Sequence, residues 1–368
     1  MSTKPRLKGT NPVYEHGDRV LIPQCGSMLE IEDVSGDVRT LIGLLDGART
    51  TQQVADEFHA ARPGSAFDVP DALSQLDQAG LIEDATAPTS LDAYGLERWK
   101  RNIGFFETYA GLSGNKYTAQ EKLNDRRVGM MGCGGVGSHV ALDLLGLGVG
   151  DLKVLDCDKV ELSNLNRQIL YTEADIGERK VDLAVRRLSA YHPNAKISGV
   201  DQLLSSVDDV YDFVSDRDFV FSLIDRPKMH IANWVNEACV RARVPLIGGG
   251  VETQRSVMYM MVPGVTGCVE CWRRANANTE RTQAVRDQMA DVHTGAGLGP
   301  DLAAFGPMVT VITALFVTEF VRYVTGVAKP LAAGKLVEIR FDNLAIRPVE
   351  TWERDPDCPV CGGVEAVH

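Results

Sequence analysis

The chain has no excess of positive charge, which limits the partners that it can bind. It contains 38 Lys and Arg residues against 50 Asp and Glu residues, for a formal net charge of −12. A uniformly acidic protein repels phosphate backbones, so this balance argues against general nucleic-acid binding and still permits one anionic ligand in a local pocket. Residues 1–90 carry −7 of these charges, which indicates either a solvated surface or a basic or neutral partner for this region.

The sequence also shows no secretion signal and no clear membrane-spanning segment. The residues Met1 to Lys8 are polar and no apolar signal-peptide core follows them, so we expect a cytoplasmic protein. The most apolar stretch, Leu302 to Val324, is interrupted by Gly, Pro, Glu and Arg. We therefore expect a buried or interfacial helix there and no membrane partner. The sequence has no fixed-period repeat and no low-complexity tract.

The 368 residues are enough for more than one domain, and their 44% hydrophobic content is typical of globular proteins. We expect one domain over residues 1–90 and a second over residues 91–368, with a linker near residues 85–95.

Residues 11–84 predict a small α+β, winged-helix-like domain, because two or three β-like runs precede three helical patterns. The β-like runs are Val20–Ile22 and Met28–Ile31. The first helix is expected to follow an N-cap at Ser35 and the second to be capped by Thr50 or Thr51. The third is expected from Val69 to Gln78.

From Arg126 to about Pro263, apolar β-runs alternate with helical patterns. This alternation predicts a parallel sheet with helices on both faces, that is, a Rossmann-like doubly wound α/β domain. The expected strands are Val128–Met131, Leu152–Leu155, Lys196–Val200, Phe219–Ile224 and Pro245–Ile247.

A glycine-rich loop follows the first of these strands. Gly132, Gly134 and Gly137 fit the pattern G-x-G-x-x-G, and a helix start there offers free N–H groups and a positive dipole end to a phosphate. Asp156 closes the next strand, where a carboxylate can hold ribose hydroxyls. By itself the loop indicates a nucleotide or dinucleotide site, for which an NAD-dependent dehydrogenase is the usual interpretation.

The residues that follow resemble a different family. Leu155 to Asp158, Ser163 to Gln168 and Gly177 to Lys180 read L-D-x-D, S-N-L-x-R-Q and G-x-x-K. These motifs, in this order and spacing, resemble the ThiF/MoeB and ubiquitin-activating (E1-like) superfamily over about residues 97–345. The resemblance implies ATP with Mg²⁺ in place of NAD.

The resemblance also implies a role for each matching residue. Asp156 would hold the ribose, whereas Asn164, Arg167, Gln168 and Lys180 would line the phosphates; alternatively they form a polar loop and an exposed helix start. The implied nucleotide site is Gly132, Gly134, Gly135, Gly137, Asp156, Asp158, Asn164, Arg167, Gln168 and Lys180.

Two further residues match positions at which the family handles charge. Asp225 follows the strand that begins at Phe219, and by resemblance it would position Mg²⁺ near the α-phosphate. The family's D-x-x-D-N reads S-L-I-D-R here, so Arg226 either meets a substrate carboxylate or is a surface residue. Arg101 resembles an arginine that reaches the partner subunit's ATP site, which implies a homodimer; otherwise it lies on a helix surface.

Two C-x-x-C pairs, Cys268/Cys271 and Cys358/Cys361, predict a closed tetrahedral Cys₄ site for structural Zn²⁺. A redox-active pair is the alternative. Residues 272–310 contain no cysteine, whereas ubiquitin-activating enzymes carry their thioester cysteine in this region. The resemblance therefore implies adenylation without a protein thioester, with the substrate entering a crossover loop at about residues 273–300.

Residues 11–84 resemble the PqqD-like leader-peptide recognition domain through the Leu45–Thr50 segment and Gly80 to Ile82. In that group a peptide adds as a strand, here to about Ser27–Glu32 beside the helix Val69–Gln78. The combination resembles the maturation enzymes of microcin C and pantocin A. It implies adenylation of a carboxyl or carboxamide on a ribosomal precursor peptide, with AMP either retained or lost on cyclisation.

Two other functions remain open. The chain can instead adenylate the C-terminal glycine of a ubiquitin-like sulfur carrier, or act as a non-catalytic scaffold that presents a leader peptide. The intact motifs between Gly132 and Lys180, together with Asp225, argue against the scaffold.

Overall fold

The computed structural model describes residues 3–24, 26–227, 230–276 and 304–365. The chain forms two compact units, Met1–Lys122 and Leu123–His368. We expected the first domain to end at residue 90, whereas the first unit ends at Lys122, because residues 91–122 pack within it.

In the first unit, three antiparallel strands form one sheet in the order β2-β3-β4, and β1 pairs with β5. The strands are β1 (Pro5–Leu7), β2 (Tyr14–His16), β3 (Arg19–Gln24), β4 (Ser27–Glu32) and β5 (Ile82–Asp84). The helices are α1 (Asp37–Leu44), α2 (Thr51–Ala61), α3 (Val69–Gln78), α4 (Ala93–Arg98), α5 (Lys100–Glu107) and α6 (Thr118–Asn124), the last two residues of which belong to the second unit. Alternate residues of β3, Val20 and Ile22, are fully buried against apolar side chains of α1, α2 and α3.

The helix starts follow from local capping, with one exception to the prediction. Thr50 caps α2 in a reciprocal capping box with Gln53, as expected. Ser35 is not the N-cap of α1: Gly36 takes that position with φ +78°. The buried Asp33 carboxylate instead accepts hydrogen bonds from the N–H groups of Val38 at 2.8 Å and the next residue at 3.0 Å, which satisfies two free donors of the first turn.

A buried ionic cluster fastens residues beyond 90 to the first unit. The Lys116 ammonium lies 2.9 Å from the Glu83 carboxylate and 2.8 Å from the Glu107 carboxylate. Thr10 donates a hydrogen bond to Glu107 at 3.1 Å. Both carboxylates are buried, so their charges need a cation: Glu83 has Arg6 as well as Lys116, and Glu107 has Lys116.

The second unit contains an eight-stranded sheet in the order β13-β12-β11-β10-β9-β6-β7-β8. Its strands are β6 (Arg127–Met131), β7 (Asp151–Leu155), β8 (Lys196–Val200), β9 (Phe219–Ser222), β10 (Leu246–Val251), β11 (Arg255–Met261), β12 (Lys335–Arg340) and β13 (Ile346–Thr351). Strands β8, β7, β6, β9 and β10 are parallel, and the last three strands continue the sheet antiparallel. All five expected strands are present, so the predicted doubly wound α/β class is confirmed.

Helices cover both faces of this sheet. They are α7 (Gly135–Gly146), α8 (Lys180–Tyr191), α9 (Val207–Val214), α10 (Ile231–Ala242), α11 (Val269–Ala275) and α12 (Gly306–Thr325). Phe219 and Phe221 point to one face, where their rings lie 5.0 and 5.7 Å from that of Phe320 in α12. Val220 points to the other face and joins a core with α9 and α10.

Helix α12 is the apolar segment noted in the sequence. It meets the length and hydropathy of a membrane-spanning helix, but 56% of its most apolar window is buried inside the protein. Core helices of globular domains share this property, which agrees with the buried helix that the sequence predicts.

Candidate functional site

The order of the parallel strands reverses between β6 and β9, and crevices at such switch points are where open α/β sheets bind ligands. At its carboxyl end, β6 is hydrogen-bonded to the ends of both neighbouring strands, β7 and β9. The N–H of Gly132 donates to the carbonyl of Leu155 at 2.7 Å, and the N–H of Leu223 donates to the carbonyl of Met131 at 2.9 Å. The glycine loop and the segment after β9 therefore border one crevice.

The glycine loop turns sharply into α7. Gly132 has φ +100°, a conformation that favours glycine. A β-carbon on Gly137 would lie 1.9 Å from the carbonyl oxygen of Gly132, so only glycine permits this close approach. Helix α7 has Gly134 as its N-cap, without a side-chain capping bond, and its first-turn N–H groups are therefore available to an anion.

Asp156 ties the loop to the end of β7. Its two carboxylate oxygens accept hydrogen bonds from the N–H of Cys133 at 2.6 Å and from the N–H of Asp158 at 2.8 Å. Burial raises the pKa of Asp156 above its usual range, while the two N–H donors act in the opposite direction. Both oxygens thus already order the loop, and contact with a ribose would use their remaining lone pairs.

Lys180 begins α8 at the same edge of the sheet. Its side chain is almost fully buried and its ammonium lies 3.2 Å from the carboxylate of Asp158. The hydroxyl of Tyr171 donates to the carbonyl of Cys133 at 2.8 Å. Sequence patterns did not identify Tyr171, because a tyrosine that supports the backbone of a loop belongs to no motif of the loop itself.

The S-N-L-x-R-Q segment lies against the glycine loop, although its members have different surroundings. The side-chain oxygen of Asn164 accepts the N–H of Glu161 at 3.2 Å, so this oxygen shapes the turn. Among the described residues, the Arg167 guanidinium donates to two neutral oxygens, at 2.8 Å and 3.1 Å, and forms no ion pair. Its aliphatic carbons lie 3.1–3.2 Å from where a β-carbon on Gly135 would stand.

Gln168 is buried beside the loop, with 3% of its surface exposed. Its side-chain oxygen has no hydrogen-bond partner within the described part of the chain, and its side-chain nitrogen lies 3.7 Å from the ideal β-carbon position of Gly134. A buried acceptor without a donor is rare in folded proteins. The Gln168 side chain thus places beside the glycine loop an acceptor that no described donor satisfies.

Asp225 and Arg226 are exposed and follow β9, directly after Ile224, which contacts the glycine loop. Within the described ranges, neither side chain forms a hydrogen bond or ion pair. The Asp225 carboxylate is thus free for a cation, and oxygen ligands of this kind suit Mg²⁺. Arg101 lies in α5 of the first unit and is exposed.

The four cysteines of the two C-x-x-C pairs come together and are all buried. Their sulfur atoms lie within 4.8 Å of one another, and Sγ distances within the cluster include 3.9, 3.7 and 3.3 Å. Tetrahedral Zn²⁺ with bonds of about 2.3 Å requires sulfur separations of roughly 3.8 Å. The donor set and its spacing therefore fit Zn²⁺, with no position left open for water.

Neighbouring groups hold the two cysteine turns in place. The Trp352 indole donates to the carbonyl of Gly267 at 3.1 Å, and the Arg354 guanidinium donates to the carbonyl of Cys361 at 2.8 Å. The N–H of Asp355 donates to the sulfur of Cys271 at 3.4 Å. The sequence alone did not indicate Trp352 or Arg354, because the Trp352 contact joins residues 85 apart and Arg354 also donates to the carbonyl of Gly264, 90 residues away, at 3.4 Å.

The crossover loop expected at residues 273–300 lies outside the described residues from 277 onward. Its predicted role as a substrate channel remains a prediction.

The sequence model of the ThiF family matches residues 101–360. The sulfur carrier protein ThiS adenylyltransferase of Escherichia coli strain K12 is 32% identical over 251 residues, which are 67% of this chain and 90% of that protein. Among solved structures, E. coli MccB with AMPCPP and MccA is similar with a TM-score of 0.77 and 24% identity, covering 98% of this chain and all of that one. PaaA is similar with a TM-score of 0.72 and 22% identity, covering 94% of this chain and all of that one.

Proposed function

We propose, because the chain belongs to the ThiF family of ATP-dependent adenylating enzymes, that it activates a carboxyl or carboxamide group of a ribosomally made precursor peptide. The observation that carries this proposal is the extent of the two similarities. The ThiS adenylyltransferase aligns with 67% of this chain over 90% of its own length, so it has no counterpart of the remaining third of this chain. The fold of MccB, in complex with MccA, covers 98% of the chain and thus includes the first unit.

The second unit supplies position and charge for the reaction. We propose that the first-turn N–H groups of α7, with Lys180 and Arg167, hold the ATP phosphates, and that Asp156 and Gln168 meet its hydroxyl or amino groups. An oxygen of the peptide then attacks the α-phosphorus, the bond to the bridging oxygen breaks, and pyrophosphate leaves with that electron pair. Preorganised donors favour this charge movement.

Two metals fit the chain. Asp225 would hold Mg²⁺, which would neutralise phosphate charge when bound. The Cys₄ cluster would hold Zn²⁺ as a crosslink between segments about 90 residues apart, without a part in the chemistry. We also propose a homodimer in which Arg101 acts at the partner's ATP site.

The first unit would recognise the leader part of the precursor. Strand β4 lies at the edge of its sheet, and an extended peptide can add to such an edge through main-chain hydrogen bonds. The region of residues 1–90 would then be a leader-peptide recognition domain, supported by α3.

The experiment is ATP–pyrophosphate exchange with the full chain, with and without the peptide encoded by the neighbouring small reading frame. We expect exchange only with the peptide, and little with the same peptide lacking its leader. The product mass then separates retained AMP from loss of water.

A sulfur-carrier substrate is the second candidate, supported by the 32% identity to the ThiS adenylyltransferase. It predicts pyrophosphate exchange with a protein that ends in Gly-Gly. It also predicts that a variant lacking residues 11–84 keeps the full rate of this exchange. Exchange with neither substrate, from a folded chain, would instead support a scaffold without catalysis.

A further inference from the structure

Strand β4 has one edge that pairs with no strand in the part of the chain that the structure describes. Its other edge pairs antiparallel with β3 along the full strand, from Gln24 and Ser27 at the turn to Arg19 and Glu32 at the far end. Unpaired N–H and C=O groups in a row accept an extended segment. The side chains next to this row then decide which segment fits.

The side chains of β4 alternate between two environments. Leu29 and Ile31 are half-buried and pack against the apolar core of the first unit. Met28, Glu30 and Glu32 are exposed on the opposite face. Because successive side chains of a strand point to opposite faces, a segment added to this edge meets apolar side chains on one face and mainly carboxylates on the other.

The carboxylates on the exposed face outnumber the cations. In the register of the sheet, Arg19 stands opposite Glu32, yet its guanidinium pairs with Glu30. Glu32 has no hydrogen bond or ion pair among the residues described. One arginine therefore serves two carboxylates, and a negative charge remains beside the free edge.

The other arginines of this region have carboxylate partners elsewhere. Each arginine within residues 1–90 already pairs with a carboxylate. These pairs are Arg6–Glu83, Arg19–Glu30, Arg39–Glu15, Arg49–Glu57 and Arg62–Asp37. The charge beside β4 is thus available to a partner.

We infer that the segment which pairs with β4 alternates basic and apolar residues, with Lys or Arg beside Glu30 and Glu32 and apolar side chains beside Leu29 and Ile31. Opposite charges on neighbouring strands stabilise pairing and like charges oppose it. The occupant is the leader of the precursor peptide, so this inference rests on the proposed function and adds the chemistry of the leader.

The test uses fluorescein-labelled synthetic peptides and the full chain, with binding measured by anisotropy at low salt. One peptide has three Lys-Val repeats, the second has the same composition with the three lysines adjacent, and the third has three Glu-Val repeats. We expect the Lys-Val repeat to bind more tightly than either of the others, and its affinity to fall as salt rises.

Variants of the protein locate the binding. The double substitution Glu30→Gln with Glu32→Gln should weaken binding of the Lys-Val repeat by roughly fivefold to tenfold, from two cross-strand charge pairs. The double substitution Glu30→Lys with Glu32→Lys should reverse the preference, so that the Glu-Val repeat binds better. The control is Asp56→Asn, which removes an exposed carboxylate of α2 and should leave the affinity unchanged.

Equal binding of the three peptides would overturn the inference, as would an effect of Asp56→Asn as large as that of the double variant. The proposed function fails separately. Peptide-dependent pyrophosphate exchange without the charge preference would leave the function standing and refute the pattern. If the protein prefers the Lys-Val repeat but no peptide supports pyrophosphate exchange, the proposed function is refuted and the charge pattern is not.

Discussion

Alanine at Gly137 should lower the stability of the second unit, because the loop has no room for a β-carbon there. An ideal β-carbon lies 1.9 Å from the carbonyl oxygen of Gly132 and 2.9 Å from its carbonyl carbon. Both atoms are backbone, so no side-chain rotation relieves the contact. Overpacking of this kind costs about 1–3 kcal/mol, which for a unit of this size lowers the melting temperature by roughly 2–12 °C.

Alanine at Gly134 should act on the ligand and leave the fold intact. The nearest atom to an ideal β-carbon is the side-chain nitrogen of Gln168 at 3.7 Å, an ordinary contact, and φ is −75°. The methyl group would, however, stand where we expect the backbone to meet the phosphates. We expect the melting temperature to stay unchanged and ATP affinity to fall at least about tenfold, or ~1.4 kcal/mol.

Calorimetry of unfolding without nucleotide and titration with ATP distinguish the two effects. Gly146→Ala is the matched control in the same helix, because the nearest atom to its ideal β-carbon, the Tyr191 hydroxyl, is 3.5 Å away. Gly146→Ala should lower neither the melting temperature nor the affinity for ATP. Wild-type stability of Gly137→Ala, or wild-type ATP affinity of Gly134→Ala, would refute this assignment of the loop.

Four further predictions concern other parts of the chain. Asp225→Ala should abolish most pyrophosphate exchange without changing the melting temperature, since its carboxylate is exposed and unpaired among the described residues; full activity would refute its role. Lys116→Met should destabilise the first unit by about 3–5 kcal/mol, because the buried Glu107 carboxylate then has no cation at ion-pair distance among the described residues, whereas Glu83 keeps Arg6. In chemical denaturation, the control Lys100→Met, which loses an exposed pair, should shift the free energy of unfolding by at most about 1 kcal/mol. Burial acts to raise the pKa of the Glu107 carboxyl, yet the hydrogen bond from Lys116 leaves this pKa below its usual value. The stabilisation by the ionised Glu107 carboxylate is therefore present above about pH 4.5, and it should be lost as the pH falls through the lowered pKa. Metal analysis should find one zinc per chain, and Cys361→Ser should reduce that content and lower the melting temperature.

Much of this protein can be read from local patterns. The strand candidates of the second unit are all present, and Lys196–Val200 has the predicted bounds. The glycine loop does lie between β6 and α7, as its spacing predicted. Periodicity and turn residues encode these features because the hydrogen bonds that form them join residues close in sequence. The ThiF resemblance, carried by motifs in one continuous stretch, was confirmed for the same reason.

Other features depend on contacts between residues far apart. The start of α1 was misplaced by one residue: Gly36 is the N-cap, and the buried Asp33 carboxylate accepts two of the first-turn N–H groups. The packing of residues beyond 90 into the first unit includes the ion pairs of Lys116, whose two carboxylate partners no spacing rule connects.

The sequence by itself determined which chemical groups are present: a glycine-rich loop after a strand, carboxylates at the ends of two strands, and four thiols in two pairs. Only the tertiary structure decided how each group is engaged. It commits both oxygens of Asp156 to backbone N–H groups, leaves the oxygen of Gln168 without a donor, and assembles the cysteines into one cluster. Residue type fixes what a side chain can donate or accept, whereas the topology of the sheet fixes which partners come within reach.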